Sequence, residues 1–222
     1  MQSRLPSDVE SLSAEETLAW VLEQFPGKAA LACSFQKEET ILLDMLFALE
    51  PKARVFAIDT HYLFPETYAY WREVEERYGT SIEVFEGPSV DDKLWETNPD
   101  LYLAIAKVAP LVKALGGLDA WITGIRRDQS PTRAEAPKLG WDEQHELVKA
   151  NPLADWTDER CWKYIRERGL PYNTLHDRGY DSIGDTHSTQ PGAGRSGRWA
   201  GTGKVECGIH TVKAADVEEI LS

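Results

Sequence analysis

The residues with most chemical potential lie near the carboxyl end. Cys207 stands in Glu206-Cys-Gly-Ile-His210, a stretch that is neither an apolar strand nor an amphipathic helix. The thiolate is the reactive form of cysteine, and neighbouring cations draw the thiol pKa toward working pH. His210, Lys204, Arg195 and Arg198 are the cations at hand in the sequence. The commoner fate of a cysteine is burial as a small apolar residue. That fate suits Cys33, on an apolar strand, and Cys161, inside a helix. No two cysteines form a C-x-x-C pair, so one chain builds neither a disulfide framework nor a four-thiolate zinc or iron–sulfur site. A metal reading of Cys207 and His210 would have to recruit His187 or Asp185, at no recognisable spacing.

A second group of reactive types is Gly124-Ile-Arg-Arg-Asp-Gln-Ser-Pro-Thr-Arg133, with Arg126, Arg127 and Arg133 just after an expected strand. Arginine suits phosphate and sulfate because its planar fork makes two hydrogen bonds at once. The alternative is a solvated face paired with nearby acids. Arg195, Arg198 and Lys204 form a third group in a glycine-rich stretch, where a loop could close over an anion and exclude water. Ser34-Phe-Gln-Lys-Glu-Glu39 sits between a strand and a helix N-terminus, where exposed N–H groups and the helix dipole favour an anion. No glycine is present there to bring the backbone close, so a pyrophosphate grip of the nucleotide-hydrolysing kind is not expected.

These groups need elements to hold them. Ser13-Ala-Glu-Glu is a capping box, and Leu18, Val21, Leu22 and Phe25 continue at helical spacing. Residues 29–33, 54–59, 81–85 and 120–124 read as strands, and 38–49 and 65–78 as helices between them. This alternation predicts an α/β fold with a parallel sheet and crossover helices. Ligands in such sheets bind beyond the carboxyl ends of the strands, which singles out 34–39, 59–67 and 124–133. Residues 157–168 read as a helix capped by Thr157 and stopped by Gly169 and Pro171. Residues 179–208 hold many glycines and few large apolar side chains, which predicts a mobile loop or lid rather than a packed element. One domain is expected, with a nucleotide-binding body over 1–184 and a lid and tail over 185–222.

Composition narrows the function classes. The 222 residues carry 24 basic and 37 acidic side chains, a net charge of −13. That balance argues against nucleic acid, whose phosphates are bound by basic patches. The most apolar stretch, 41–49, contains Asp44 and is too short to span a bilayer. The first residues, MQSRLPSDVE, lack the pattern of a secretory signal, so a cytoplasmic location and free thiols are expected.

Several of these pieces occur in one order that resembles the phosphoadenylyl-sulfate and adenylyl-sulfate reductase family of assimilatory sulfate reduction. They include Ser34-Phe, Asp59-Thr-His-Tyr-Leu-Phe-Pro-Glu-Thr67, Lys107-Val-Ala-Pro110, Gly124-Ile-Arg-Arg-Asp-Gln-Ser and Asn151-Pro-Leu. Leu175-His-Asp-Arg-Gly-Tyr180, Ser182-Ile-Gly-Asp-Thr-His-Ser-Thr189 and Glu206-Cys-Gly-Ile-His210 complete the set. The resemblance covers about 29–210 and implies an adenine-nucleotide α-hydrolase-like fold of PP-loop type, usually as a homodimer. It implies that Cys207 attacks the sulfur of the sulfonucleotide, and that reduced thioredoxin or glutaredoxin then releases sulfite. Lys107, Arg133, Arg195 and Arg198 match positions that cradle the phosphosulfate, and His210 matches a histidine beside the substrate. Ser34, Phe35, Asp59 and Thr60 match nucleotide-binding edges, and Arg126, Arg127, Gln129 and Ser130 belong to the matching strand-end motif.

The family divides on an iron–sulfur cluster. Where the cluster branch places its four cysteines, this chain has Tyr102, Leu103, Asp185 and Ser188, so no bound cofactor or metal is expected. Gly184-Asp-Thr-His-Ser-Thr189 resembles the cluster-free branch and points to 3′-phosphoadenylyl sulfate. Gln129-Ser-Pro-Thr-Arg133 and Arg195-Ser-Gly-Arg-Trp199 resemble the cluster branch, which keeps a cluster-free adenylyl-sulfate reductase as the alternative. Further alternatives are an ATP pyrophosphatase or adenylyltransferase of the same fold, which the absent Ser-Gly-Gly loop disfavours, and a non-catalytic nucleotide binder.

Overall fold

In the computed structural model, which describes residues 5–91, 93–199 and 206, a six-stranded sheet runs in the order β3-β2-β1-β4-β6-β5. The strands are β1 (Ala29–Ala32), β2 (Arg54–Asp59), β3 (Glu83–Glu86), β4 (Ala120–Ile122), β5 (Leu139–Asp142) and β6 (Leu147–Ala150). All neighbours pair parallel except β5 with β6. The α/β fold with a mainly parallel sheet is as the alternating pattern predicts. The β5–β6 hairpin was not foreseen, because Trp-Asp-Glu-Gln-His-Glu is polar and its turn uses Glu146, at φ 54, where the usual signal is asparagine or glycine.

Alternation along each strand supplies both faces. Leu31, Val55, Ala57, Ala120, Ile122 and Val148 point into one core, while Ala30, Phe56, Trp121 and Leu147 point into the other. The first core is covered by α1 (Ala14–Gln24), α2 (Lys37–Leu49), α3 (Pro65–Tyr78) and α7 (Asp158–Glu167). The helix starts are chemically explicit. Ser13 accepts from the Glu16 N–H at 3.1 Å while Glu16 accepts from the Ser13 N–H at 2.7 Å, and Thr157 accepts from the Arg160 N–H at 3.2 Å. Proline opens α3, whose Gly79 end lies in the left-handed region at φ 60.

The second face is covered by α6 (Ala109–Leu115), the last part of a helical stretch that begins with α4 (Leu94–Thr97), α5 (Pro99–Leu103) and a π-helical turn (Ala104–Val108). Pro110 brings no N–H to the ladder, and the Ala109 N–H donates five residues back, to the Ala104 carbonyl. The widened turn holds Lys107, almost wholly buried.

Residues 179–199 pack against the rest of the fold, contrary to the expectation of an unpacked stretch; of 200–208, only residue 206 is among the described residues. Ile183, Asp185, Ser188, Thr189, Arg198 and Trp199 are all buried, and short bridges join Leu63 to Asp185, Tyr180 to Gly192 and Thr189 to Arg198. Trp199 packs with Trp95, Tyr102, Leu103 and Ala106 in a third cluster. The segment is held by polar and aromatic contacts, which a count of aliphatic residues does not register.

Candidate active site

The strand order reverses at β1: β2 lies on one side and β4 on the other. A crevice is expected at the carboxyl ends of strands around such a switch point. A cleft of about 410 Å³ is there, walled by the turns leaving β1, β2 and β4 and by residues 181–198. Its floor is apolar, with Phe56, Ile58, Leu111 and Trp121, and suits a planar aromatic ring.

The turn after β1 is tightly specified. Phe35 sits in the left-handed region at φ 57, an uncommon conformation for a bulky residue. Its ring, buried and stacked on Trp71 at 4.8 Å, holds it there. Gln36 has extended backbone at φ −97, so no glycine is required at that position. Its side-chain carbonyl accepts from the Ile183 N–H at 2.7 Å, tying the turn to the opposite wall. Ser34 donates to Glu39 at 2.8 Å, and the Gln36 N–H donates to the same carboxylate at 3.3 Å. An acid of this chain thus occupies the N-terminus of α2 that the sequence offered to an anion.

Burial, reinforced by neighbouring Glu38, pushes the Glu39 carboxyl up to about 7. Glu38, equally buried, is held below its ordinary range because Lys37 and Arg126 outweigh desolvation. Arg126 is walled in. Nε donates to Glu38 at 2.9 Å, Nη1 to the Trp156 carbonyl at 3.1 Å and to Asp128, and Nη2 to Asp158 at 3.1 Å. Lys37 pairs with Asp158 at 3.0 Å. Two cations therefore face three carboxylates, and Arg126 lines the cleft without an unengaged fork.

The opposite end is cationic. Lys107 reaches Asp185 at 2.9 Å, and Thr60 and Tyr102 donate to the same carboxylate at 2.8 and 3.2 Å. Asp185 is fully buried, and Lys107 and Thr60 hold its carboxyl below the ordinary range despite desolvation. Arg198 donates from Nη1 to the Ile183 carbonyl at 2.8 Å and to Ser182 at 3.2 Å, and its guanidinium lies over Trp199 at 4.5 Å. That guanidinium also fills the space where a Cβ on residue 184 would stand, which accounts for Gly184. Arg133 and Arg195 sit at the rim, both bound to Glu206. Gln129 accepts from Arg133 at 2.6 Å.

Of the expected set, Ser34, Phe35, Thr60, Lys107, Arg126, Gln129, Arg133, Arg195 and Arg198 line this cleft. Asp59, Arg127 and Ser130 lie outside its lining. Asp59 accepts from Tyr68 at 2.7 Å and from the His61 N–H at 2.8 Å. Arg127 turns outward to the Ala136 carbonyl and Glu10, at the start of a 3-10 turn (Arg127–Gln129) that follows the extended Arg126. Ser130 bonds Thr132 at 2.8 Å. Cys207 and His210, like Lys204, lie outside the described residues. Cys33 and Cys161 are buried, and desolvation raises the first thiol well above its ordinary value and the second to about 12, so neither is a nucleophile at neutral pH. Sequence reasoning missed Lys37 as a cleft wall and Asp185 as the partner of Lys107; nothing in hydropathy marks a buried ion pair.

Among the described residues, no group of three or more metal donors gathers in the cleft. Asp59, His61 and Glu86 bring ligand atoms within 4.8 Å of one another, among partly and fully exposed residues outside it. Tyr102, Leu103, Asp185 and Ser188, where the cluster branch has cysteines, offer no thiolate, and Asp185 is already bound to Lys107, so an iron–sulfur cluster does not fit there.

Known proteins resemble this chain in sequence and fold. The phosphoadenosine phosphosulfate reductase domain matches residues 28–191. An adenosine 5′-phosphosulfate reductase of Geobacillus kaustophilus is 40% identical over 218 residues, covering 92% of this chain and 93% of its own. One from Shouchella clausii is 41% identical over 214 residues, covering 90% and 89%. The crystal structure of the phosphoadenylyl-sulfate reductase of Candida auris superposes with a TM-score of 0.74 at 34% identity, over 82% of this chain and 92% of that one. The FMN adenylyltransferase of Candida glabrata shares the fold alone, with a TM-score of 0.61 at 16% identity, over 81% of this chain and 64% of that one. No helix among the described residues is long and apolar enough to cross a membrane. On the match across 28–191 and the identity carried through nearly the full length of its relatives, the chain belongs to the phosphoadenosine phosphosulfate reductase family.

Proposed function

We propose that the chain reduces the sulfuryl group of an adenylylated sulfate to sulfite, with Cys207 as nucleophile and reduced thioredoxin or glutaredoxin as electron donor. The observation that carries the reading is Glu206 on Arg133 and Arg195 at the rim of the cleft. The next residue in the chain is Cys207. The adenine ring would lie on the apolar floor, and Lys107 and Arg198 would face the anionic end.

In the first step the Cys207 thiolate attacks the sulfonate sulfur. A new S–S bond forms, the S–O bond to the phosphate breaks, and its electron pair leaves on the nucleotide phosphate. Cations beside that phosphate lower the cost of its developing charge. A thiol of the donor then attacks the Cys207 sulfur and expels sulfite, and its second thiol resolves the mixed disulfide. The donor supplies both electrons. We further propose that the chain works in the cytoplasm as a homodimer.

The segment Gly184-Asp-Thr-His-Ser-Thr189 supports 3′-phosphoadenylyl sulfate as the substrate. Adenylyl sulfate is the second reading, favoured by the substrate in the relatives' names and by the carboxylate pairing of Lys37 and Arg126, which leaves that end of the cleft no surplus of positive charge for an extra phosphate. The test is sulfite release with each nucleotide and reduced thioredoxin, using wild type and Cys207→Ser. We expect the variant to bind nucleotide and release no sulfite; full turnover by the variant refutes the mechanism, and the faster wild-type substrate decides the specificity.

A further inference from the structure

One carboxylate in the wall of the cleft ties its own segment to three others. Asp185 Oδ1 accepts from the hydroxyl of Thr60, just past β2, at 2.8 Å. Its Oδ2 accepts from the Tyr102 hydroxyl of α5 at 3.2 Å and meets the Lys107 ammonium of the π-helical turn at 2.9 Å. The backbone is pinned as well: the Thr186 N–H donates to the Tyr62 carbonyl at 2.8 Å, and a bridge joins Asp185 to Leu63. Asp185 has no exposed surface, and both of its oxygens are engaged. Lys107 differs, because its ammonium is only partly used. The residue lines the cleft and keeps 7% of its surface. An ammonium carries three donors. Among the described residues Asp185 is its one acceptor, so two N–H groups remain for an occupant of the cleft.

We infer that Asp185 is a positioning residue, whose carboxylate, locked by Thr60 and Tyr102, holds the Lys107 ammonium at the cleft with two donors left for the anionic end of the nucleotide. The inference rests on the proposed sulfonucleotide substrate and names a residue that acts on it through Lys107. Lysine is a point charge on a flexible four-carbon stem, so a cation fixed beforehand spares binding the cost of ordering it. A fixed charge also needs no reorganisation while charge develops on the leaving phosphate. The carboxylate itself repels the substrate anion. Losing the tether outweighs that repulsion, because a buried ammonium stripped of its carboxylate is a stranded charge and abandons its place.

The test is calorimetric titration of the full chain with adenylyl sulfate, 3′-phosphoadenylyl sulfate and, as the uncharged probe, adenosine. It compares wild type, Asp185→Asn, Lys107→Met and the Asp185→Asn/Lys107→Met double variant. Asp185→Asn should weaken the tighter-binding sulfonucleotide about tenfold or more, as loss of a charge-assisted hydrogen bond would, and leave adenosine unchanged. The double variant should bind no more weakly than Lys107→Met, since the tether acts only through that ammonium. Where Asp185→Asn fails to fold, Tyr102→Phe, which keeps both charges and its ring, takes its place with a loss of about threefold. Unchanged sulfonucleotide affinity in the deciding variant overturns the inference. Tighter binding does too, since it would make the carboxylate a competitor of the substrate. An equal loss for adenosine overturns it by showing general damage to the cleft, and so do multiplicative losses in the double variant. A wild type that binds neither sulfonucleotide fails the parent reading instead, and the inference falls with it.

Discussion

Removing Asp185 should expose how strongly the floor of the cleft depends on one carboxylate. It is fully buried and faces a nearly buried Lys107 at 2.9 Å, with Thr60 and Tyr102 donating to it. At an effective dielectric of about 20, unit charges at that separation attract by about 6 kcal/mol. Desolvating the two ions costs several kcal/mol each, so the pair adds little net stability, whereas breaking it strands a buried charge at a cost of about 3–5 kcal/mol. Asp185→Ala should therefore lower the thermal midpoint by about 6–20 °C, at about 2–4 °C per kcal/mol for a chain of this size. Asp185→Ala/Lys107→Met should recover most of the loss, because no unpaired charge remains. The carboxyl is depressed in the folded state, so its contribution is present above the unfolded value of about 3.8 and is lost as the pH falls through the lower folded value. Urea melts of the three proteins between pH 3 and pH 7 measure both effects. Additive losses in the double variant, or an Asp185→Ala chain as stable as wild type at neutral pH, refute the argument.

Two further outcomes follow from the same chemistry. Because burial raises both Cys33 and Cys161, alkylation of the native chain at about pH 8 should modify Cys207 alone, with all three reacting after unfolding. Peptide mapping that finds rapid native labelling of either buried thiol contradicts the burial. Glu39, raised to about 7, favours folding while protonated, so its contribution is full below the unfolded value of about 4.5 and is lost as the pH climbs to about 7. Glu39→Gln should flatten stability across that window, and an unchanged pH profile removes the assignment.

How much of this was legible in the sequence depended on whether apolar side chains recorded the contacts. The strand over 29–33 and the helices over 65–78 and 157–168 match β1, α3 and α7 closely, because their spacing writes one buried face directly. The strand over 81–85 emerges two residues later, at Glu83, where Glu83 meets Arg54 across the edge. The stretch 94–115 went unread because it is broken by Pro99 and by the π-helical turn at Ala104–Val108, neither of which keeps a 3.6-residue rhythm. At the cleft, residue types pointed to the right segments, since strand ends carry the site in such sheets. Which arginine of a pair faces inward was not legible: Arg126 and Arg127 are neighbours of one type, and only the backbone direction after β4 separates them. Nor could composition show that residues 179–199 pack through Asp185, Arg198 and Trp199.

The widened turn around Lys107 has a consequence for the evolution of this helix. It adds one residue to a ladder that otherwise advances about 100° per position. Deleting a single residue from Ala104–Val108 would let the ladder close regularly, but would swing one half of the stretch by that angle relative to the other. Trp95 and Tyr102 on the leading half, and Leu111 and Leu115 on the trailing half, could then no longer meet their separate cores together. The helix is thereby locked in length at this point, tolerating substitutions far better than insertions or deletions.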